Sequence, residues 1–432
     1  KYELMKKAFI EKLYAEKAKN DSNSEDLANT LNILSKTVFG DINRFVFELL
    51  QNADDSPRSN GNTNLDVVFH LFDNYLLFYH NGRHFDDADV KGISRVGSRD
   101  SRKDRELEKT GYKGIGFKSV FRTSDCVQII SNGYNFKFDK DHYVWKEDKT
   151  YPWQVIPIWS EEIPSEIQSH IDPAHVNTII KIHQRETIYK EILDVFDDCQ
   201  IILFLRNITS IKFLRNNVLE FEIKKNSLGH KLYNLLYNNH LKSCWYISDS
   251  IAEISESLRD KLFKLSDEEC PVKLKEAQKT KITFAALITD GNIQTLENAI
   301  IYNYLPTKVK YDFPYIVNSD FITNAERTQL LSNEWNEFLF YEIAKKQFDF
   351  LIELHSTKFK FDILRLLKSK FSTYSIDKLK SAFNLGLSET ISNTPFIPDI
   401  LDEKLLKASD CLIDSLGYSK HFPHEHIISL FP

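Results

Sequence analysis

The chain has 432 residues, of which 42% are hydrophobic and 27% are charged, and its formal net charge at pH 7 is −6. This length is large for one hydrophobic core and predicts two or three domains, and the composition is that of an ordinary globular protein. The slightly acidic balance excludes a protein that is basic overall, so contact with a nucleic acid would require a local basic patch.

The cysteines and the apolar segments of the sequence indicate the compartment in which the protein works. The five cysteines are widely scattered without a C-x-x-C pair, so the sequence indicates neither a zinc site nor a disulfide framework. No apolar run is as long as a membrane span, and residues 1–20 are too charged for a secretory signal. We therefore expect a cytoplasmic protein with no membrane partner. Because the chain starts at Lys and stops on an apolar segment, we also expect a fragment of a longer protein.

Two amphipathic helices are predicted at the start of the chain. Residues 2–17 place apolar side chains at helical spacing and form an appended helix, which a polar linker follows up to residue 24. A second helix begins at Leu27 and continues to Val38, with residues suited to an N-cap before it.

The third predicted helix carries three polar residues on one face. Glu48, Asn52 and Asp55 stand at i, i+4 and i+7, and the opposite face is apolar. The side-chain oxygen of Asn52 is a suitable ligand for Mg²⁺, and Glu48 is placed to orient and deprotonate a water. Taken alone, this pattern is more often a solvated helix edge.

A hairpin is predicted after this helix. Residues 65–72 and 75–79 have the alternation of strands, and Asp73-Asn74 forms the turn between them. The second strand leads into a segment with His80, Gly82 and His84. The two histidines are candidate ligand contacts, and the alternative is that they are polar residues at the end of a strand. Acidic residues at 86–89 then begin a helix over 90–96, which Gly97 and Ser98 end.

Glycines are concentrated in one part of the chain. Six of the 13 glycines fall between Gly82 and Gly116, where backbone must bend or approach a ligand closely. Residues 114–118 form a predicted phosphate cradle, since the segment 117–121 reads as the opening of a helix. Residues 99–109 alternate in charge and form the predicted lid. The basic excess between residues 91 and 118 suits a triphosphate, although a solvated face would have the same composition.

Strands and helices alternate through the rest of the chain. The predicted strands are 126–130, 134–138, 143–145, 177–182, 211–214, 218–223, 241–249, 281–288 and 299–304. The predicted helices are 189–198 and 335–355, and an acidic helical insert spans 253–276.

The segments ELLQNADD, FYHNGRHF and GYKGIGFKSVF, in this order, resemble the nucleotide site of the GHKL superfamily, which includes gyrase, the ninety-kilodalton heat-shock chaperones, histidine kinases and MutL. Within that superfamily they look most like the sacsin and NO VEIN type of repeat. The resemblance implies an α+β chain built of consecutive parts. These are an appended helix and linker (1–24), a two-layer α/β sandwich of the Bergerat fold that binds ATP (25–225), an αβ middle domain of transducer type (226–357), and a small, mostly helical unit (358–432).

The resemblance also implies an activity. We expect a slowly hydrolysing ATPase that acts as a conformational clamp with ATP and Mg²⁺ as its ligands, with Glu48 as general base and Asn52 as metal ligand. The predicted residues that bind the nucleotide are Asn52, Asp55, His80, Gly82, Gly97, Ser98, Lys113, Gly114, Ile115, Gly116, Phe117, Lys118 and Thr178.

Two positions bear on the chemistry of the bound nucleotide. His80 stands where the superfamily usually has an Asp that accepts from the adenine amino group, and a neutral imidazole lacks the charge and the second oxygen. Arg327 resembles the arginine of the chaperone middle domain that reaches the γ-phosphate, and positive charge there assists phosphoryl transfer. Lys308 is the second candidate for that role. The alternative is that Arg327 begins a helix and pairs with an acid.

Two other functions and several partners stay open. One is a nucleotide-binding interaction module without hydrolysis, which the missing Asp favours. The other is a nucleic-acid-handling ATPase of the MutL or gyrase kind, as one arm of a bacterial antiviral defence system. The expected partners are a client protein, a nucleic acid held by a local basic patch, or a second copy that exchanges the N-terminal segment. That segment packing on its own domain is the alternative to exchange.

Overall fold

The computed structural model describes most of the chain. The described residues are 2–19, 21–37, 44–56, 64–96, 116–145, 150–170, 178–183, 188–197, 199–267, 269–324, 327–372, 377–399, 404–411, 417, 421–423 and 426. They divide into two compact units, Lys1–Asn336 and Glu337–Pro432.

Ten α-helices are described, and they are α1 (Tyr2–Lys17), α2 (Ser22–Thr37), α3 (Arg44–Asp54), α4 (Asp87–Ile93), α5 (Ser165–His170), α6 (Tyr189–Phe196), α7 (Glu256–Leu262), α8 (Val272–Lys275), α9 (Glu334–His355) and α10 (Lys378–Ile391). Short 3₁₀ helices occupy Gly116–Arg122, Trp153–Val155, Cys199–Ile202, Asp362–Leu366 and Ala408–Asp410. Among the described helices, none combines the length and the apolar character that crossing a bilayer requires.

The strands in chain order are β1 (Leu65–Leu71), β2 (Tyr75–His80), β3 (Cys126–Ser131), β4 (Tyr134–Asp139), β5 (Ile158–Trp159), β6 (Thr178–His183), β7 (Ile208–Arg215), β8 (Val218–Gly229), β9 (Leu232–Tyr237), β10 (His240–Glu253), β11 (Lys279–Thr289), β12 (Asn292–Gln294), β13 (Ile300–Asn303), β14 (Leu305–Lys310), β15 (Ile316–Asn318), β16 (Ile397–Pro398) and β17 (Leu405–Leu406). The fold is therefore mixed α+β. The specific GHKL arrangement of its layers stays a prediction.

One continuous sheet organises the first unit. Its order is β14-β13-β15-β11-β10-β9-β8-β7-β1-β2-β6-β3-β4-β5, and β12 pairs with β11 beside this path. Most neighbours are antiparallel, but β1 pairs in parallel with β7, which is distant in sequence. The predicted domain boundary at residue 225 falls inside β8, which pairs with β7 on one side and β9 on the other. The boundary stays a prediction.

The hydrophobic core follows the sheet. One cluster of buried side chains includes Ile10 of α1, Phe45 of α3 and Phe69 of β1, and it continues to Trp245 and Ile316 in the later strands. The predicted hairpin at 65–79 is confirmed, because β1 and β2 pair in antiparallel register from Val67↔His80 to Leu71↔Leu76. Apolar side chains on this hairpin are buried in the core, as the alternation of its strands indicates.

The N-terminal helix packs on its own chain. The Lys6 ammonium pairs with Asp87 of α4 at 2.8 Å, and the Tyr14 ring stacks on Trp145 with 6.2 Å between centroids. Ile10 is fully buried beneath the helix. These contacts match the alternative in which the segment docks on its own domain, and homodimerisation stays a prediction.

Three local predictions differ from the structure. Residues 143–145 form a turn rather than a strand, because the Trp145 indole donates to the Asp139 carbonyl and its ring stacks on Tyr14 and Tyr151. The helix predicted over 90–96 spans Asp87–Ile93, since Asp86 and Asp89 form a capping box at its start. In the helical insert predicted at 253–276, α7 and α8 are the helices among the described residues, and β10 extends to Glu253.

The second unit contains most of α9, α10 and a small sheet. Gly386 of α10 lies against Tyr341 of α9, so closely that an added Cβ would be 2.4 Å from the Tyr341 carbonyl oxygen. Phe348 packs edge-on against Phe396, and β16 pairs with β17. The predicted helix 335–355 is confirmed as α9.

Candidate nucleotide site

Helix α3 presents a polar edge above a buried face. Phe45, Leu49 and Leu50 are fully buried against the sheet, which fixes the rotation of the helix. The Glu48 side chain is 20% exposed and lies 3.6 Å from the Arg44 guanidinium, measured from Oε1 to Nε. Asn52, one turn later, is exposed. Glu48 and Asn52 therefore lie on the helix as predicted, whereas Asp55 follows its last residue, Asp54.

Gly116 brings the glycine-rich segment against Glu48. A Cβ atom built on Gly116 would lie 1.8 Å from Glu48 Oε2 and 2.4 Å from its Cδ, so only glycine fits there while the carboxylate keeps its position. Gly116 is the first residue of the 3₁₀ helix Gly116–Arg122. The structure thus joins two motifs that lie far apart in sequence.

Asn52 is the candidate metal ligand of the site. Among the described residues no hydrogen bond is formed by its side chain, and its backbone carbonyl accepts from the Ser56 hydroxyl at 2.9 Å. In the described part of the chain, no group of three His, Cys, Asp or Glu residues could hold a metal ion. One amide oxygen is consistent with Mg²⁺, because this ion usually takes few protein ligands and binds mainly to phosphates and water.

His80 ends β2 inside the protein. The residue is 5% exposed, and its Nδ1 accepts a hydrogen bond from the Gly82 backbone N–H at 3.1 Å. Burial, together with the neighbouring His84, lowers the pKa of His80 from 6.5 to about 4, so the ring is neutral at pH 7. Thr178 is the register partner of His80 on β6, and its hydroxyl lies 3.1 Å from that of Ser131.

Lys118 points into the protein. The residue is 4% exposed, and its ammonium donates to the backbone carbonyls of Ile93 and Gln154, the latter at 2.8 Å. Burial holds the pKa of Lys118 well below its ordinary value. In this position the ammonium connects the end of α4 to the 3₁₀ helix after the glycines. Phe117 is half-buried and packs edge-on against Phe121.

Asp55 lies in an ion pair at the end of α3. Its Oδ1 accepts from the Arg206 guanidinium at 2.9 Å. The preceding residue, Asp54, is 1% exposed and accepts from three backbone N–H groups, of Arg206, Asn207 and Ile208, at 3.0, 2.7 and 3.0 Å. Asp54 and Arg206 are not among the residues predicted from the sequence. Only the Asp-Asp pair at the end of the helix offered a signal.

Residues 24–190 match the family described as a sacsin domain. This segment is sacsin-like. It contains α3, the β1–β2 hairpin, Gly116 and Thr178, which are the parts of the candidate site. The chain is also 28% identical over 332 residues to Protein NO VEIN of Arabidopsis thaliana. The matched region is 73% of this chain and 11% of that protein. It is 31% identical over 147 residues to human Sacsin, and this matched region is 29% of this chain and 3% of that protein.

Five predicted residues of the sacsin-like segment, Gly97, Ser98, Lys113, Gly114 and Ile115, lie outside the described residues, as does the predicted lid at 99–109.

Arg327 lies beyond the sacsin-like segment, in a bend before α9. Its φ angle is 56°, its guanidinium donates to the Asn303 carbonyl at 2.9 Å, and its own carbonyl accepts from the Lys308 N–H at 2.8 Å. The two candidates for contact with the γ-phosphate are therefore neighbours. Arg327 does not begin a helix, since α9 starts at Glu334.

Proposed function

We propose that the sacsin-like segment binds a nucleoside triphosphate with Mg²⁺ and hydrolyses it slowly, as the nucleotide-dependent part of a conformational clamp. The observation that carries the proposal is the contact between Gly116 and the Glu48 carboxylate, with Asn52 one turn further along α3. This arrangement provides an acid, an amide and a bare backbone segment side by side. Such a set suits triphosphate hydrolysis.

Each residue has a defined part in this proposal. Glu48 orients a water and accepts its proton, and the nearby Arg44 guanidinium supports the position of the carboxylate. Asn52 supplies an oxygen to Mg²⁺, and the bound ion neutralises charge on the phosphates. Backbone N–H groups from Gly116 onward face the anion, because the first turn of a helix leaves them without helical partners.

The clamp action rests on the region beyond the sacsin-like segment. Arg327 and Lys308 are the candidates for a positive charge that completes the site when the protein changes conformation. Their proximity supports this proposal, because one rearrangement of the bend would move both residues. A site completed only on closure turns over slowly. ATP is the nucleotide expected from the resemblance, and the client of the clamp, a second copy and a role in defence stay predictions.

The test is nucleotide binding and phosphate release on the same samples. With Mg²⁺ present, we expect the wild type to bind ATP or GTP and to release phosphate. Glu48→Gln should keep binding and lose at least 100-fold in turnover, and Asn52→Ala should lose Mg²⁺-dependent binding. Glu256→Gln, an exposed helical glutamate that is distant in sequence, is the matched control. Turnover by Glu48→Gln equal to that of the wild type would contradict the assignment of the general base.

A nucleotide-binding module without hydrolysis is the second candidate. Two observations favour it, because His80 replaces the usual acidic residue and the Lys118 ammonium donates to backbone carbonyls. In that case the wild type would bind a triphosphate with Mg²⁺ but release no phosphate over hours. The same experiment therefore separates the two functions.

A further inference from the structure

The hydrogen bond at Gly82 determines which nitrogen of His80 carries the proton. The Gly82 backbone N–H donates to Nδ1, so Nδ1 must present its lone pair. A neutral imidazole has one proton on nitrogen, and it is therefore on Nε2. The ring is neutral near pH 7 because burial and the neighbouring His84 lower its pKa to about 4. His80 is thus a hydrogen-bond donor through Nε2 and has no second acceptor to offer.

The turn around His80 holds the ring in this orientation. A Cβ atom on Gly82 would lie 2.5 Å from the Ser56 carbonyl oxygen and 2.9 Å from His80 Nδ1, so the backbone closes directly on the ring. In the sheet, His80 is the register partner of Thr178, and the centroid of its ring lies 5.9 Å from that of the Phe78 ring. Rotating the ring to exchange its nitrogens would break the Gly82 bond in a buried setting, which is unfavourable.

The Nε2–H group of His80 is a hydrogen-bond donor that can serve a ligand. The residue is 5% exposed, and the hydrogen bond described for its ring is the one that Nδ1 accepts from Gly82. In the described part of the chain, Nε2 is not among the buried side-chain atoms that lack a partner, so it can donate to water or to a ligand. The turn after His80 lies beside the end of α3, because Gly82 closes on the Ser56 carbonyl and the Ser56 hydroxyl donates to the Asn52 carbonyl at 2.9 Å.

We propose that His80 determines base specificity, donating from Nε2 to an acceptor on the base, so that the site prefers a 6-oxo purine nucleotide to an adenine nucleotide. The two bases differ at position 6, where adenine has an amino donor and hypoxanthine or guanine has a carbonyl acceptor. A carboxylate at residue 80 would accept a hydrogen bond from the adenine amino group, whereas an N–H donates one to the carbonyl of a 6-oxo purine. The inference rests on the proposed function, because it names the base that the same site takes.

The test compares inosine, guanosine and adenosine triphosphates on the full chain with Mg²⁺. ITP and ATP differ at position 6 and in the proton that hypoxanthine carries on N1. We expect ITP to bind the wild type roughly tenfold more tightly, because the Nε2–H of His80 meets an acceptor at position 6 of ITP and a donor at position 6 of ATP. His80→Asp should reverse the order. His80→Asn, whose amide has both a donor and an acceptor, should bind the two about equally. His142→Asn, at a half-buried histidine elsewhere in the first unit, should leave the preference for ITP over ATP unchanged.

The outcomes separate this inference from the proposed function. Equal binding of ITP and ATP by the wild type, or tighter binding of ATP, would overturn the specificity of His80 and leave nucleotide binding intact. Binding of no triphosphate would overturn both. A second measurement needs no nucleotide and no variant that must fold. Nitrogen NMR of labelled histidines should show His80 in the Nε2–H form between pH 6 and 8, and the Nδ1–H form would contradict the proposal.

Discussion

Glu48 owes its position partly to the residue opposite it. Gly116 has no side chain, and the space that a methyl group would take is occupied by the Glu48 carboxylate. The contact is with the far end of a flexible side chain, so a substitution can displace the carboxylate without breaking the fold. A substitution of Gly116 should therefore lower activity with little effect on stability.

We predict that Gly116→Ala lowers phosphate release about as much as Glu48→Gln while the melting temperature changes by only a few degrees. The added methyl group would move the carboxylate away from its place beside the backbone. Gly92→Ala is the control, because a Cβ atom there meets nothing within 4 Å. Loss of stability without loss of turnover in Gly116→Ala would show that the Glu48 position is not needed for the reaction.

His80 makes stability depend on pH. Its pKa is about 4 in the folded protein and 6.5 ordinarily, so the unfolded chain binds the proton more readily. The neutral ring therefore contributes its full stability above pH 6.5, and this contribution is lost as the pH falls toward 4. The difference corresponds to about 3 kcal/mol. We predict that urea unfolding between pH 7 and pH 4.5 shows a steeper loss of stability for the wild type than for His80→Asn. Parallel curves would contradict a buried neutral His80.

The junction between α3 and β7 is the main connection at the scale of elements. The Asp54 carboxylate accepts from backbone N–H groups at the start of β7, and the Asp54 carbonyl accepts from the Asn207 side chain at 2.6 Å. Arg206 adds the ion pair with Asp55 and lies over the Tyr304 ring, 5.1 Å from its centroid. The helix that bears Glu48 is therefore attached to the sheet through its last turn.

We predict that Asp54→Ala destabilises the protein by roughly 3 kcal/mol or more, because it leaves three backbone donors without their acceptor in a buried site. Asp54→Asn should cost less, since one side-chain oxygen remains. Asp55→Ala is the comparison, as its carboxylate pairs with a guanidinium that is 25% exposed and should matter less. Chemical denaturation measures all three, and equal effects at 54 and 55 would refute the special role of Asp54.

The whole first unit shares one sheet and one large hydrophobic cluster. Residue 225 lies inside β8, which is hydrogen-bonded to β7 on one side and to β9 on the other, and buried residues from Ile10 to Ile316 belong to the same cluster. The sequence analysis instead predicts separate nucleotide and middle domains with a boundary at that residue. The two descriptions differ in the cooperativity of unfolding that they imply.

We predict that amides of β1 and β10 reach the same opening free energy in native-state hydrogen exchange, and that both lose protection at the same denaturant concentration. A continuous sheet with a common core unfolds as one unit, since separating its strands exposes apolar surface on both sides of the break. Two well-separated transitions, with β10 and β11 opening apart from β1 and β2, would instead support independent domains divided near residue 225.

The sequence by itself determined the features that depend on neighbouring residues. The polar face of α3, the hairpin of β1 and β2, and α9 follow from apolar periodicity and turn residues, which act over a few positions. The three ordered motifs also indicated the sacsin-like segment and the group of residues to search for a nucleotide site. These are local patterns, and periodicity within one element is enough to reveal them.

Only the tertiary structure decided which of those residues meet, and how. The parallel pairing of β1 with β7, the Gly116 contact with Glu48 and the bonds from Asp54 to residues 153 and 154 positions away depend on chain segments that no local pattern relates. Burial likewise placed the Lys118 ammonium against backbone carbonyls and lowered the pKa of His80, and the sequence alone does not reveal either environment. The physical reason is that burial and hydrogen bonding are set by the surroundings in space, and these exist only after the distant segments have packed together.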